Sequence, residues 1–453
     1  MKRLIATLVV ASLLTGCGAL RGRREATTPT IGQRIPVLSN ENEAALDPAL
    51  AAVPVTVPPP YVNSDWAQSG GNAAKSMIHV ALAASPQRLW SVSIGGGSKA
   101  RARLASEPVV GDGRIYTIDV NANVRAFDAD TGRLIWSRQV RGENSPRETL
   151  FGGGVAFDSG RLYVVNGAGD AAALDAATGN QIWLKKPGGP LRGAPTIGTS
   201  DVYVLSQDNQ LFALDLDTGE THWSATGSFE LAGVFGAASP AYARSTVIAG
   251  YSSGELTAYR YENGETLWQD ALARTGISTV VGTLSDVDAD PVVDNGRVFA
   301  VGRGGRMVAI ELITGQRAWE VNIAGLSTPW VAGDWVFVVT DRAEVMALAR
   351  ASGRVRWIAQ LPAWRKPPRE RPSRRYGERE TVPGRDPIFW RGPVLAGGHL
   401  ILTSSRGQIA FLNPADGSVA RTIETGQPIS LPPIVANNTL YVLDDNGRLT
   451  AYR

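Results

Sequence analysis

Apart from one unbroken apolar stretch near the N-terminus, Leu4 to Leu14, the hydrophobic residues of this chain fall in short runs separated by polar turns rich in Gly, Asn and Asp. Runs of about four to six residues between such turns predict β-strands rather than helices. In one stretch, Glu107 to Val110 is apolar, Gly111-Asp112-Gly113 is a turn, and Arg114 to Asp119 is a second strand. Asn121-Ala122-Asn123 turns again, Val124 to Asp128 makes a third strand, and Arg133 to Arg138 a fourth. The same four-strand unit recurs along the chain.

Seven times a short turn ending in Gly leads into a new strand, and six times a Trp follows four residues after that Gly. The pattern is complete at Ala126/Asp128/Thr131/Gly132/Trp136, Ala173/Asp175/Thr178/Gly179/Trp183 and Ala213/Asp215/Thr218/Gly219/Trp223. It is looser at Gly264/Trp268, Gly315/Trp319 and Gly353/Trp357, and the copy at Gly417 has Arg421 in the Trp place. Gly-to-Gly spacings of 47, 40, 45, 51, 38 and 64 residues give a repeat of a size that builds propellers or solenoids. The Gly supplies the positive φ of a tight turn, and the Asp and Thr side chains cap the turn's own backbone. Indoles at one register predict packing between neighbouring blades.

The count predicts an all-β, eight-bladed propeller of four-stranded antiparallel blades. The last unit has three strands, Pro433 to Ala436, Thr439 to Asp444 and Arg448 to Tyr452. Gln87 to Ile94 has the composition of an outer strand and its own Trp90. That segment is expected to complete the eighth blade, because radial closure removes open strand edges.

The N-terminus reads as a lipoprotein signal. Lys2-Arg3, the apolar run and the lipobox Leu14-Thr15-Gly16-Cys17 make residues 1–16 a signal peptide and Cys17, the sole cysteine, the acylated residue. The apolar run is too short to span a bilayer. Gly18 in place of an Asp after the Cys favours the periplasmic leaflet of the outer membrane. Residues 17–65, with Pro54, Pro58, Pro59 and Pro60, read as a flexible tether, and 66–453 as the propeller.

Charge excludes a polyanion-binding function. The chain carries +3, and seven of its basic residues (Arg365, Lys366, Arg369, Arg371, Arg374, Arg375, Arg379) crowd into residues 365–380 beside three acidic ones. The basic character is thus local, within an insertion at 361–386 expected to be a solvated loop, and there is no nucleic-acid stripe. His79, His222 and His399 are widely separated, and no metalloprotease, nucleophile-elbow or P-loop motif occurs, so no catalytic residue, metal or cofactor is expected. The longer segments, Val140 to Phe151, Ser224 to Ala238, Gln269 to Asp290 and Ile358 to Asp386, are all links between blades. They emerge on one face, opposite the Thr-Gly turns, and such loops on a rigid ring carry function.

The Ala-x-Asp-x-x-Thr-Gly-x-x-x-Trp repeats resemble those of the pyrroloquinoline-quinone propellers. Within that superfamily, the lipobox and Leu284-Ser285-Asp286-Val287-Asp288 leading into Pro291 to Gly296 resemble the outer-membrane protein assembly factor BamB family over Asn63 to Arg453. The resemblance implies a non-enzymatic lipoprotein of the β-barrel assembly machinery that assists nascent outer-membrane β-barrel proteins. It implies docking on POTRA domains of BamA through two neighbouring interblade loops. One loop matches at Leu284, Asp286 and Asp288; in the other, Val234-Phe235-Gly236 stands where the family has Leu-Arg-Gly. Phe235 is expected to be an exposed anchor, and the two carboxylates to select a basic partner without any part in blade packing. A periplasmic quinoprotein dehydrogenase and a generic cell-envelope scaffold are the alternatives. The first is disfavoured because adjacent cysteines, usual in those enzymes, are missing.

Overall fold

Each Thr-Gly turn closes a hairpin and, with the same few atoms, fastens one blade to the next. The computed structural model describes residues 44–228, 238–272, 286–372 and 379–453. They form eight four-stranded antiparallel sheets around a ring. The first blade comprises Val109–Gly111, Arg114–Ile118, Asn123–Asp128 and Leu134–Gln139, and each later blade repeats that order from the centre outward. At the turns, Asp128, Asp175 and Asp215 each accept the backbone N–H and the hydroxyl of a Thr three residues on, at 2.7–2.9 Å. Those bonds to the ionised form hold all three carboxyls below their ordinary range.

The six repeat Trp residues and Trp90 all pack between blades. Each indole Nε1–H donates to a main-chain carbonyl of the next blade: Ala129, Ala176, Leu216, Tyr261, Leu312, Arg350 and Pro414, at 2.8–3.2 Å. The turn Gly of that next blade lies flat against the ring. A Cβ on Gly132, Gly179, Gly219, Gly264, Gly315, Gly353 or Gly417 would lie 2.5–2.8 Å from indole carbons, and all seven have φ between +69° and +75°. Glycine is therefore demanded twice, by backbone conformation and by the indole.

Closure follows the expected route. Arg88–Ser93 pairs antiparallel with Arg448–Tyr452, with Trp90 opposite Ala451 as Trp136 is opposite Ala126. Ile94 is fully buried.

Three expectations need correction. Residues 44–65, assigned to the flexible tether, lie against the ring: Asp47 N–H donates to Val355 O at 2.9 Å, Arg354 pairs with Asp47 at 3.2 Å, and Arg356 Nε donates to Val53 O at 2.7 Å. The outer strand of the sixth blade (Val355–Gln360) offers unpaired main-chain groups, and an extended Pro-rich segment can use them. The basic insertion is a β-arm rather than a loop. Trp364–Lys366 pairs with Arg385–Pro387, and Arg369–Pro372 with Arg379–Val382, in a register that sets Arg371 opposite Glu380.

Residues 63–82 were expected to open the propeller domain but form no strand of it. They cross one end of the ring and bond in turn to every blade. Asn63 reaches the eighth blade, Trp66 the first, Ala67 the second, Gln68 the third, Ala73 the fourth, Ala74 the fifth, Ile78 the sixth and Val80 the seventh. All these bonds fall beside the turn joining each blade's two inner strands. The cap therefore closes the Thr-Gly face and leaves the interblade-link face opposite.

Candidate docking face

The two loops implicated by resemblance leave the described residues at 229–237 and 273–285, so Val234, Phe235 and Leu284 lie outside them, as does Cys17. Their C-terminal ends are described, and they are bound to each other: Ser239 N–H donates to Asp290 Oδ1 at 2.7 Å.

Asp286 and Asp288 do not form the exposed acidic rim expected of them. Asp286 is 1% exposed, and Arg192, itself 4% exposed, holds Nη1 3.8 Å from its Oδ1. Arg192 stands in the inner strand of the third blade, Leu191–Ile197, whose residues are all buried. Its Nη2 donates to Gly250 O at 3.0 Å. Buried charges persist in a ring interior only when paired, and this pairing turns the loop inward. Asp286 O accepts Arg303 N–H at 3.0 Å, and the buried Val287 donates its N–H to Tyr251 O at 3.2 Å. The segment 286–290 is thus riveted to the third, fourth and fifth blades.

Asp288 is half-buried beside Asp286. Burial first, then the Asp286 charge, pushes its carboxyl up to about 6, against the opposing pull of Arg192, Arg303 and Arg391. Burial in turn holds the Arg192 and Arg391 guanidinium groups below their ordinary range. The cluster alternates sign across the ring at the base of the link face.

A second buried cluster lies under the cap. Lys75 Nζ donates to Thr196 Oγ1 at 3.1 Å, facing Asp290 and Glu107. The Ser69 hydroxyl lies 2.9 Å from Glu107 and 2.7 Å from Asp290, yet has one proton to give. Burial pushes both carboxyls above their ordinary range, against the pull that the Lys75 charge exerts on Asp290. His79 and His399, expected to stand apart, meet near one turn: His79 Nε2 accepts Gly398 N–H at 2.9 Å, and His399 Nδ1 contacts Gly397 O at 3.1 Å. Both rings are engaged by main chain. The signal missed in the sequence was a single cation in a stretch with no other charge, Arg192 in its strand and Lys75 in the lead-in, each of which faces a buried acid.

The family model described as "Outer membrane protein assembly factor BamB" matches residues 74–148, 121–359 and 363–453. The BamB protein of Alkalilimnicola ehrlichii is 30% identical over 81% of this chain and 88% of its own length. That of Escherichia coli is 26% identical over 80% of this chain and 87% of its own. Among solved structures, BamB from Moraxella catarrhalis superposes with TM-score 0.66 at 18% identity, covering 82% of this chain and all of that one. A europium-containing methanol dehydrogenase superposes with TM-score 0.62 at 16% identity, over 84% of this chain and 89% of its own, a likeness of fold. By the extent of the family match, this chain belongs to the outer membrane protein assembly factor BamB family.

Proposed function

We propose that this protein is a non-enzymatic scaffold of the outer-membrane β-barrel assembly machinery. It is held to the periplasmic leaflet through acylated Cys17 and docks POTRA domains of BamA on its interblade-link face, so assisting insertion of outer-membrane β-barrel proteins. The observation that supports this reading best is the fixed segment that follows residues 273–285: Asp286 is paired with Arg192, and 286–287 is bonded to the fourth and fifth blades. Asp286 and Asp288 then act as positioning residues, and Val234, Phe235 and Leu284 supply the contact surface. The test is capture from detergent-solubilised membranes under mild salt. The native protein is expected to bring down the barrel subunit, and Phe235→Ala combined with Leu284→Ala to lose it at unchanged melting temperature. Capture of a respiratory partner instead would favour an oxidoreductase role. Cys17→Ala is expected to release the protein from the outer membrane; retention as tight as native would count against the anchor.

A further inference from the structure

Seven seams between blades are filled alike, by an indole lying on a glycine; the seam between the seventh and eighth blades is not. Arg421 stands in the Trp place of the seventh blade's outer strand, Val419–Glu424. Because the eighth blade's outer strand (Arg88–Ser93) is far in sequence from its neighbour (Arg448–Tyr452), no Thr-Gly turn joins them. Counting back four residues from Trp90, Pro86 occupies the glycine's place. Both halves of the fastening are replaced together, and both replacements line a cleft of about 580 Å³.

The cleft has an apolar wall of Ile423, Ile429, Val442 and Tyr452, and three guanidinium groups, those of Arg88, Arg421 and Arg448. Arg421 lies over the Phe411 ring at 4.1 Å, and its Nη2 is buried with no hydrogen-bond partner. Arg448 Nη1 lies 3.4 Å from Ser91 Oγ, and its charge pulls the Asp444 carboxyl on the same wall downward against the upward push of burial. Asp444 Oδ1 caps Asn446 N–H at 2.9 Å and Arg448 N–H at 3.0 Å, and Glu424 accepts the Gln408 amide at 2.6 Å. Phe411 stands opposite Arg421 where the other seven blades set an alanine opposite the tryptophan, so the cleft opens beside a stacked Phe–Arg pair, between an apolar wall and a cationic rim on which Arg421 Nη2 is left over.

We infer that this seam is a binding site for a protein partner's peptide segment in which an aromatic residue adjoins a carboxylate. The ring enters the cleft against Ile423, Ile429, Val442 and Tyr452, beside the stacked Phe411–Arg421 pair, and the carboxylate pairs with Arg421, Arg88 or Arg448 through guanidinium forks. Peptide is favoured over a free aromatic acid because the other seven seams are each filled by a side chain borne on a strand. The inference does not depend on docking at the link face, which lies at other blades.

The test uses the full chain and fluorescence anisotropy with three labelled six-residue peptides carrying a central Trp-Glu, Trp-Gln or Ala-Glu pair. The Trp-Glu peptide is expected to bind at least about tenfold more tightly than either counterpart, since each lacks one of the two anchors. Arg421→Trp, which restores the residue the other blades carry, is expected to abolish binding. Should that variant not fold, Arg88→Glu with Arg448→Glu, both exposed, is expected to weaken the Trp-Glu peptide by a similar factor and leave the melting temperature unchanged. Equal binding of all three peptides, no binding of any, or native binding by the substituted proteins would each overturn the assignment.

Discussion

The two faces of the ring are built on opposite principles. On the Thr-Gly face seven of the eight blades end in a tight glycine turn, and the segment 63–82 is bonded to all eight. On the link face the connections differ in length, and what order they have comes from charges buried at their base, Arg192 with Asp286 and Asp288. The first face is made by local, repeated interactions and resists change as a unit. The second depends on a few contacts between distant blades, so it can vary its loops without cost to the ring and can lose its geometry to one substitution.

One deletion and a set of substitutions test that contrast, in descending order of effect. Deleting Gln87 to Ile94 should remove the folded monomer, because it exposes the strand edge at Arg448–Tyr452 and one interblade indole whose loss alone costs about 3–5 kcal/mol. Size-exclusion chromatography with thermal unfolding checks this, and a monomer with a native transition would mean the ring closes otherwise. Asp286→Ala should cost about 3–5 kcal/mol in chemical denaturation, since it removes the buried partner of the Arg192 guanidinium and leaves only the half-buried Asp288 to offset its charge, and should also lose capture of the barrel subunit. Replacing the pair together, Arg192→Met with Asp286→Leu, should recover most of the stability; if it does not, the pair is not what fixes the loop base.

Asp288→Asn sets the scale for one titrating group. A carboxyl raised to about 6 in the folded state contributes stability that is present below its unfolded value and lost as pH rises through about 6. The Asn variant should therefore be more stable than native near pH 7.5, by on the order of 1–3 kcal/mol, with the gap closing toward pH 5. A constant gap across that range would show that Asp288 is not the group responsible. The smallest effect belongs to the repeated turns: Asp175→Ala removes a solvent-facing cap and should cost roughly 1 kcal/mol or less by urea midpoint.

The propeller was legible because its determinants are local. Asp, Thr, Gly and Trp stand within one turn of each other, so period, strand order and even the closing strand at Trp90 could be read off spacing. The acids of the link face were legible as residues but not as an orientation. Asp286 meets Arg192 across blades, a contact that no spacing reveals, and exposure had been inferred from loop position alone. The same limit hid the cap and the ordered part of the tether. A Pro-rich stretch without periodicity has one composition whether it hangs free or, like Asp47 at Val355, lies along a strand edge. The basic arm failed for a related reason: Pro367-Pro368 and the run of arginines suggest a solvated loop, whereas backbone pairing of 364–366 with 385–387 does not depend on side-chain pattern.

Closure by Arg88–Ser93 also fixes the order in which the molecule can be finished. Ser91 meets Thr450 across 359 positions of chain, and the cap at 63–82 needs turns from all eight blades before its bonds exist. The portion that leaves the ribosome before the blades must wait until the last strands arrive. Blades can assemble one after another in between, but ring and cap are completed together in a late, slow step. During that interval the unjoined edges at both ends of the chain are open to other strands, so the period before closure is when this protein is most exposed to aggregation and proteolysis.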